Sequence, residues 1–233
     1  MSDRIATNPF CTRFFQPGSI PFFFHPPMSL DSLVRRIADA PRGAIVGPHG
    51  SGKSTLLEHV TQHPALSSSF VAIHKLRFQT GEPLRHRWST IRDALNSLSR
   101  KASQATHENE RFHRSSLGQE KNLLIIDGWE QMDTVLQWFT RKRAGARGVQ
   151  ILATSHTLPV HFTEIWRTRI DEKIEQHVLG YMLRDAGSVD TTAVTQSQAW
   201  HQSRQRHGQN LRESLFDMYD WYRDQVDVET TSG

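Results

Sequence analysis

The chain has 233 residues, with 28 Lys and Arg against 24 Asp and Glu, for a formal charge of +4. A hydrophobic fraction of 36% with 22% charged residues suits a soluble globular domain with a real core, alone or with a small helical appendage. The single Cys11 excludes a disulfide scaffold and a cysteine-based zinc cluster, and no apolar run approaches the roughly 18 residues of a membrane helix.

Residues 1–29 are rich in Phe and Pro, have no helical period and read as an irregular arm. Its PFFFHPP stretch is broken by prolines and lacks the basic-then-apolar order of a signal peptide, so the cytoplasm is the expected compartment. The arm's Phe10, Phe14, Phe15 and Phe22 to Phe24 are expected to pack against a sheet. Leu30, Leu33, Val34 and Ile37 mark one face of a helix that Pro41 and Gly43 end. Residues 44–46 read as a short buried strand, 47–52 as a glycine-rich turn, and 53–63 as a helix burying Leu56, Leu57 and Val60 and stopped by Pro64.

Residues 70–76 are the next strand, 77–87 a polar loop, and 88–101 a helix with Trp88, Ile91, Leu95 and Leu98 at helical spacing. Residues 103–120 carry almost no apolar period and read as loop. The uninterrupted run Leu123, Leu124, Ile125, Ile126 is the pattern of a strand covered on both faces of a parallel sheet. Residues 134–144 follow as a helix with Val135, Leu136, Trp138 and Phe139 turned inward, and 149–153 as another apolar strand. From about Asp171 the pattern is helical only, with anchors Ile174, Val178 and Met182, then Val194 and Trp200, then Leu211, Leu215, Met218 and Tyr222. The expected organisation is an arm over 1–29, an α/β core over 30–170, a helical lid over 171–225 and a flexible tail over 226–233.

Chemistry enters at Gly47-Pro48-His49-Gly50-Ser51-Gly52-Lys53-Ser54, which fits G-x-x-x-x-G-K-[ST] at every position. Glycines let successive backbone N–H groups turn toward one anion, and a helix starting near Lys53 adds its partial positive charge. Lys53 would reach the β- and γ-phosphates and the Ser54 hydroxyl would ligate Mg²⁺, with Thr55 completing the nucleotide-binding stretch. Asp127 closes the apolar run where the second metal-holding acid belongs, and Glu130 lies three residues on, placed to activate water or simply to sit on the surface. These motifs predict a P-loop NTPase fold, a three-layer α/β/α arrangement with a mostly parallel sheet and a small all-helical C-terminal lid.

The segment from Leu123 to Gln131, with Asp127-Gly128-Trp129-Glu130 at its centre, resembles the Walker B element of AAA+ and STAND ATPases. Ile151 to His156 resembles their sensor 1 strand, which implies that Thr154 or Ser155 senses the γ-phosphate; His156 stands where STAND proteins usually carry Arg. Gly208-Gln209-Asn210-Leu211-Arg212 resembles the sensor 2 helix, implying contact of Arg212 with the nucleotide. The likeness runs over residues 30–224. It implies a Mg²⁺-dependent ATPase with ATP as ligand, a protein partner or self-association, and an arginine finger at Arg167 or Arg169. An N-terminal segment covering the adenine is a further implication. Two other readings stay open: a weakly hydrolysing nucleotide switch or adaptor, and a small-molecule kinase using residues 77–120 to bind its acceptor.

The basic balance, with a pI of about 9.5 and the run Arg141-Lys142-Arg143, permits a nucleic-acid partner. A solvated Arg-rich face is the plainer reading at this net charge. No membrane partner is expected.

Overall fold

The computed structural model describes residues 8–70, 72–78, 81–111, 121–184 and 189–231. Five strands and nine α-helices follow one another among these residues. They are α1 (Leu30–Asp39), β1 (Arg42–Val46), α2 (Lys53–Gln62), α3 (Pro64–Ser69), β2 (Ala72–Arg77) and α4 (Leu84–Arg111). Then come β3 (Asn122–Asp127), α5 (Thr134–Gly145), β4 (Val149–Ser155), β5 (Thr163–Arg167), α6 (Glu172–Leu183), α7 (Thr191–Gln196), α8 (Gln198–His207) and α9 (Leu211–Thr231). The chain divides into two compact units, one made of Pro26–Val46 and His59–Arg167, the other of Met1–His25, Gly47–Glu58 and Thr168–Gly233.

The first unit holds the sheet, in the order β2-β3-β4-β1-β5 with every pairing parallel. All six residues of β3 are buried, as its apolar run predicts. On one face Ala44, Val46, Leu124, Ile126, Ile151 and Ala153 join Ile91, Leu95 and Leu98 of α4 and Leu136 and Ala144 of α5 in a single cluster. Gln150, pointing the other way from Ile151, donates through Nε2 to the Ala38 carbonyl at 3.3 Å, which puts α1 on the opposite face. Ser29 caps α1, its hydroxyl accepting from the Ser32 amide. Helices on both faces of a parallel sheet are the α/β class expected from the sequence. The crossover from β4 to β5 uses only residues 156–162 and carries no helix, passing β1 on the way.

Four local expectations change. The helix expected over 88–101 begins at Leu84 and runs to Arg111, so much of the expected loop over 77–87 and 103–120 is helical; residues 112–120 lie outside the described residues. Gln, Ala, Glu and Arg sustain a helix by propensity past Leu98, the last buried residue of the apolar stripe, so a missing stripe does not mean a loop. Pro64 both stops α2 and opens α3 as its first residue, where a missing N–H costs nothing. Val135 and Trp138, expected inward, are 62% and 53% exposed. At 100° per residue Leu136, Thr140 and Ala144 share the buried side of α5, and Trp138 falls opposite. β5 was not anticipated: in Thr-Glu-Ile-Trp-Arg only Ile165 is buried, so this edge strand lacks an apolar run.

The second unit is built on helices. Ile174, Leu179, Met182, Leu183, Val194, Trp200, Leu211, Leu215, Met218 and Tyr222 share one cluster with Phe10, and Phe14, Phe15, Ile20 and Phe23 pack against it. The arm's phenylalanines therefore pack with the C-terminal helices, where the sequence had suggested a sheet. Short polar helices supply too little apolar surface of their own, and rings such as Phe10, edge-on to Tyr222 at 6.0 Å, complete it. Ser197 divides the expected single helix over 190–207, capping α8 by accepting from the Trp200 amide at 3.1 Å. α9 continues to Thr231.

No helix among the described residues is long and apolar enough to cross a membrane.

Candidate functional site

β1 ends at Val46, the glycine-rich loop starts at the next residue, and α2 begins at Lys53. The loop thus has the strand before it and the helix after it that its motif requires. Gly50 and Gly52 hold φ of +66° and +88°, turns that side-chain-bearing residues resist. Lys53 curls back over the loop, its Nζ donating to the Gly47 carbonyl at 2.6 Å and the Pro48 carbonyl at 2.7 Å. Pro48 and His49 are exposed at the crest, whereas Ser54 and Thr55 are half-buried in the first turn of α2.

The loop is braced from within its own unit. Ser51 Oγ donates to the Pro48 carbonyl at 2.8 Å and lies 2.5 Å from the buried Thr168 hydroxyl. A Cβ on Gly47 would sit 2.0 Å from that same hydroxyl oxygen, so only glycine allows Thr168 this close. A Cβ on Gly50 would meet Asn210 Oδ1 at 1.8 Å and the Arg212 backbone nitrogen at 3.2 Å. The first turn of α9 therefore lies directly against the glycine-rich loop. Asn210 caps that helix, Oδ1 accepting from the Glu213 amide at 3.4 Å. The Arg212 guanidinium is placed 5.4 Å over the Phe216 ring of the next turn.

In the sheet unit, the carboxyl ends of three neighbouring strands lie level. Val46 is beside Ser155, and Ile126 is beside Ala153. Asp127 is buried there and tightly held. Thr154 Oγ1 donates to Asp127 Oδ1 at 2.6 Å and accepts from the Gly128 amide at 2.9 Å. One hydroxyl thus fixes both the carboxylate and the turn that follows it, and its single proton is committed to Asp127. Arg77, paired in register with Asp127, brings Nε to 3.8 Å from Oδ2. Gly128, at φ +91°, turns the chain into a short 3₁₀ segment, Trp129–Gln131. This puts Glu130 near His156, whose Nε2 is 3.2 Å from Glu130 Oε1. Glu130 Oε2 is buried and has no hydrogen-bond partner, so this side chain is not the plain surface acid that the sequence had left open. Ser155 is buried beside Thr154. Arg167 pairs with Glu164, and Arg169 is exposed.

Four participants in these arrangements escaped the sequence reading: Thr168, Asn210 as a loop neighbour, Arg77, and His156 as the partner of Glu130. Each is brought in by pairing register or by contact across a long sequence separation, and no short motif encodes that.

No protein-family model matches the chain, and no curated protein matches it. Many solved structures resemble its fold, among them the following three. The Drosophila ORC structure, determined bound to DNA, matches at 13% identity and a TM-score of 0.48, over 88% of this chain and 55% of that one. C. elegans PCH-2 matches at 12% identity and 0.41, over 84% and 67%. Rhizobiales Trip13 matches at 17% and 0.37, over 77% and 62%. The chain thus spans between about half and two thirds of the length of each.

Proposed function

We propose that this chain binds ATP with Mg²⁺ and hydrolyses it, using binding or turnover to act on a protein partner or a second copy of itself. The observation that carries the reading is the complete phosphate-loop motif between β1 and α2, with Lys53 curled over the loop carbonyls at 2.6 and 2.7 Å. An ammonium group placed against loop carbonyls is readily drawn to phosphate oxygens, which offer it full negative charge. The loop amides and Lys53 take the phosphates, with residues 47–55 forming the nucleotide-binding stretch.

The donor set suits a hard cation. The Ser54 hydroxyl and the Asp127 carboxylate are the oxygen ligands Mg²⁺ prefers, and Thr154 holds that carboxylate in one rotamer. Mg²⁺, when bound, neutralises charge on the phosphates. Glu130 Oε2, buried and unpaired, accepts the proton of a water molecule, while His156 orients the carboxylate through Oε1. The water oxygen attacks the γ-phosphorus, the bond from γ-phosphorus to the bridging oxygen breaks, and ADP and phosphate leave. With the Thr154 proton given to Asp127, Ser155 is the sensor of the γ-phosphate and Thr154 a positioning residue. Arg212, on a helix whose first turn abuts the loop, exchanges its place over Phe216 for the phosphates and reports their presence to the helical region. Of the two candidate fingers, Arg169 is the better reading, because Arg167 is engaged by Glu164.

A second reading, a switch that binds ATP and hydrolyses it slowly, is favoured by the engagement of Glu130 with His156. Measuring ATP affinity beside steady-state turnover separates the two. The ATPase reading expects release of free phosphate that Glu130→Gln removes while ATP still binds; tight binding with no turnover in the unaltered chain leaves the switch. Transfer of labelled γ-phosphate to a small acceptor would sink both in favour of a kinase. Failure of the unaltered chain to bind ATP overturns all three.

A further inference from the structure

The opposite end of the sheet, where strands begin, carries a feature that the ATPase reading does not use. A cavity of about 420 Å³ is lined by Arg42, Trp138, Arg141, Lys142 and His161. A second, of about 220 Å³, shares Arg42 and Arg141 and extends past Lys121 and the Gly148 turn. Both lie wholly within the sheet unit. We infer that this groove binds single-stranded nucleic acid, with Trp138 stacking on a base and Arg42, Arg141 and Lys142 taking phosphates.

Three observations support it. First, Trp138 is 53% exposed on the outward side of α5, and Arg141 and Lys142 follow at three and four residues, the same face of the helix. A large indole left in water beside two cations is a stacking platform of the kind that serves any base. Second, the charge is one-sided. Residues 134–163 contain Arg141, Lys142, Arg143 and Arg147, with His161 at the groove and His156 at the other end of the sheet, and not one Asp or Glu. A merely solvated helix surface mixes signs; this one draws anions. Third, the cations are held in place. Arg42 Nε donates to the His161 carbonyl at 2.9 Å, and Arg141 Nη1 donates to the Val160 carbonyl at 3.1 Å. His161, at φ +68°, is the only non-glycine residue with positive φ among the described residues, and this turned backbone presents its carbonyl to Arg42. Two guanidinium groups anchored by single bonds keep other N–H groups for phosphate oxygens.

The groove makes no use of Lys53, Asp127 or Glu130, so its test is separate from that of ATP binding. The probe is a fluorescein-labelled oligothymidylate of about a dozen nucleotides, titrated with the full chain without ATP and followed by anisotropy at several salt concentrations. Binding is expected in the micromolar range at low salt and to weaken as salt rises, each phosphate contact adding about 0.7 to the slope of log K against log salt. Trp138→Ala should weaken it roughly 5- to 150-fold, the span for one stacked base, and Trp138→Phe should restore most of the loss. Lys142→Ala should flatten the salt slope by about 0.7. Lys53→Ala should leave the binding unchanged. The inference is overturned by a Kd above about 100 µM for the unaltered chain at low salt. It is equally overturned if binding ignores both Trp138→Ala and Lys142→Ala. A third outcome overturns it in favour of an acidic protein: polyglutamate displaces the oligonucleotide, and its binding is weakened by Lys142→Ala but not by Trp138→Ala.

Discussion

The two ends of the β-sheet are built on opposite plans. At the carboxyl end Asp127 is buried and Glu130 half-buried, and each has a named partner, Thr154 for Asp127 and His156 for Glu130. At the amino end the cations line open cavities, and a tryptophan stands in solvent. An enclosed, hydrogen-bonded carboxylate is pre-organised for one small ligand whose geometry must be met closely. An open cationic surface tolerates varied geometry and suits a long flexible polyanion. Under the two proposals the carboxyl end serves chemistry and the amino end capture, and substitutions at each end should break different functions.

The largest effect is expected from Lys53→Ala, which should lower ATP turnover about 100-fold or more through loss of phosphate stabilisation; phosphate release at the unaltered rate would sink the ATPase reading. Asp127→Asn keeps the shape but removes the charge that attracts the metal. It should cost about 100-fold in Mg²⁺-dependent phosphate release and leave binding of ATP in EDTA largely intact. Glu130→Gln should lower kcat by about 100-fold at near-constant KM if the carboxylate serves as base, and by less than about threefold if it is a bystander. Thr154→Val leaves Asp127 Oδ1 and the Gly128 amide without their partner. It should destabilise the fold by about 1–3 kcal/mol, a drop in Tm of several degrees, whereas Thr154→Ser should stay close to the parent. Smallest of all, Trp138→Ala should change ATP turnover measured without nucleic acid by less than about twofold, because this exposed side chain lines the cavity at the other end of the sheet from Asp127 and Glu130. A larger loss would show that the two ends are not separable.

The phosphate loop and the strand ending in Asp127 were legible in the sequence because their physics is local. Glycine spacing dictates the turn, and a run of four apolar residues can only be a covered strand or a piece of buried helix. The residues that brace the site were not legible. Thr168 meets Ser51 across 117 positions, and Arg77 reaches Asp127 only because β2 and β3 pair in one particular register. Trp138 shows a third kind of failure. Counting apolar residues in 134–144 identified a helix correctly, but the count says nothing about which side faces the core, and the phase set by Leu136, Thr140 and Ala144 turns Trp138 outward. The length of α4 was hidden for the converse reason: a polar helix gives no periodic signal.

The crossover over residues 156–162 has a mechanical side. Ser155 lies level with Val46 and Thr163 level with Gly43, so the connection returns only three residues, about 10 Å, down the sheet while it passes β1. The eight Cα steps between them can span at most about 27 Å, so the connection has reach to spare. Its first residue, His156, holds Glu130, and its penultimate residue, His161, holds Arg42. The two ends of the sheet therefore share one short connection that is not taut, and a shift at His156 is taken up before it arrives at His161.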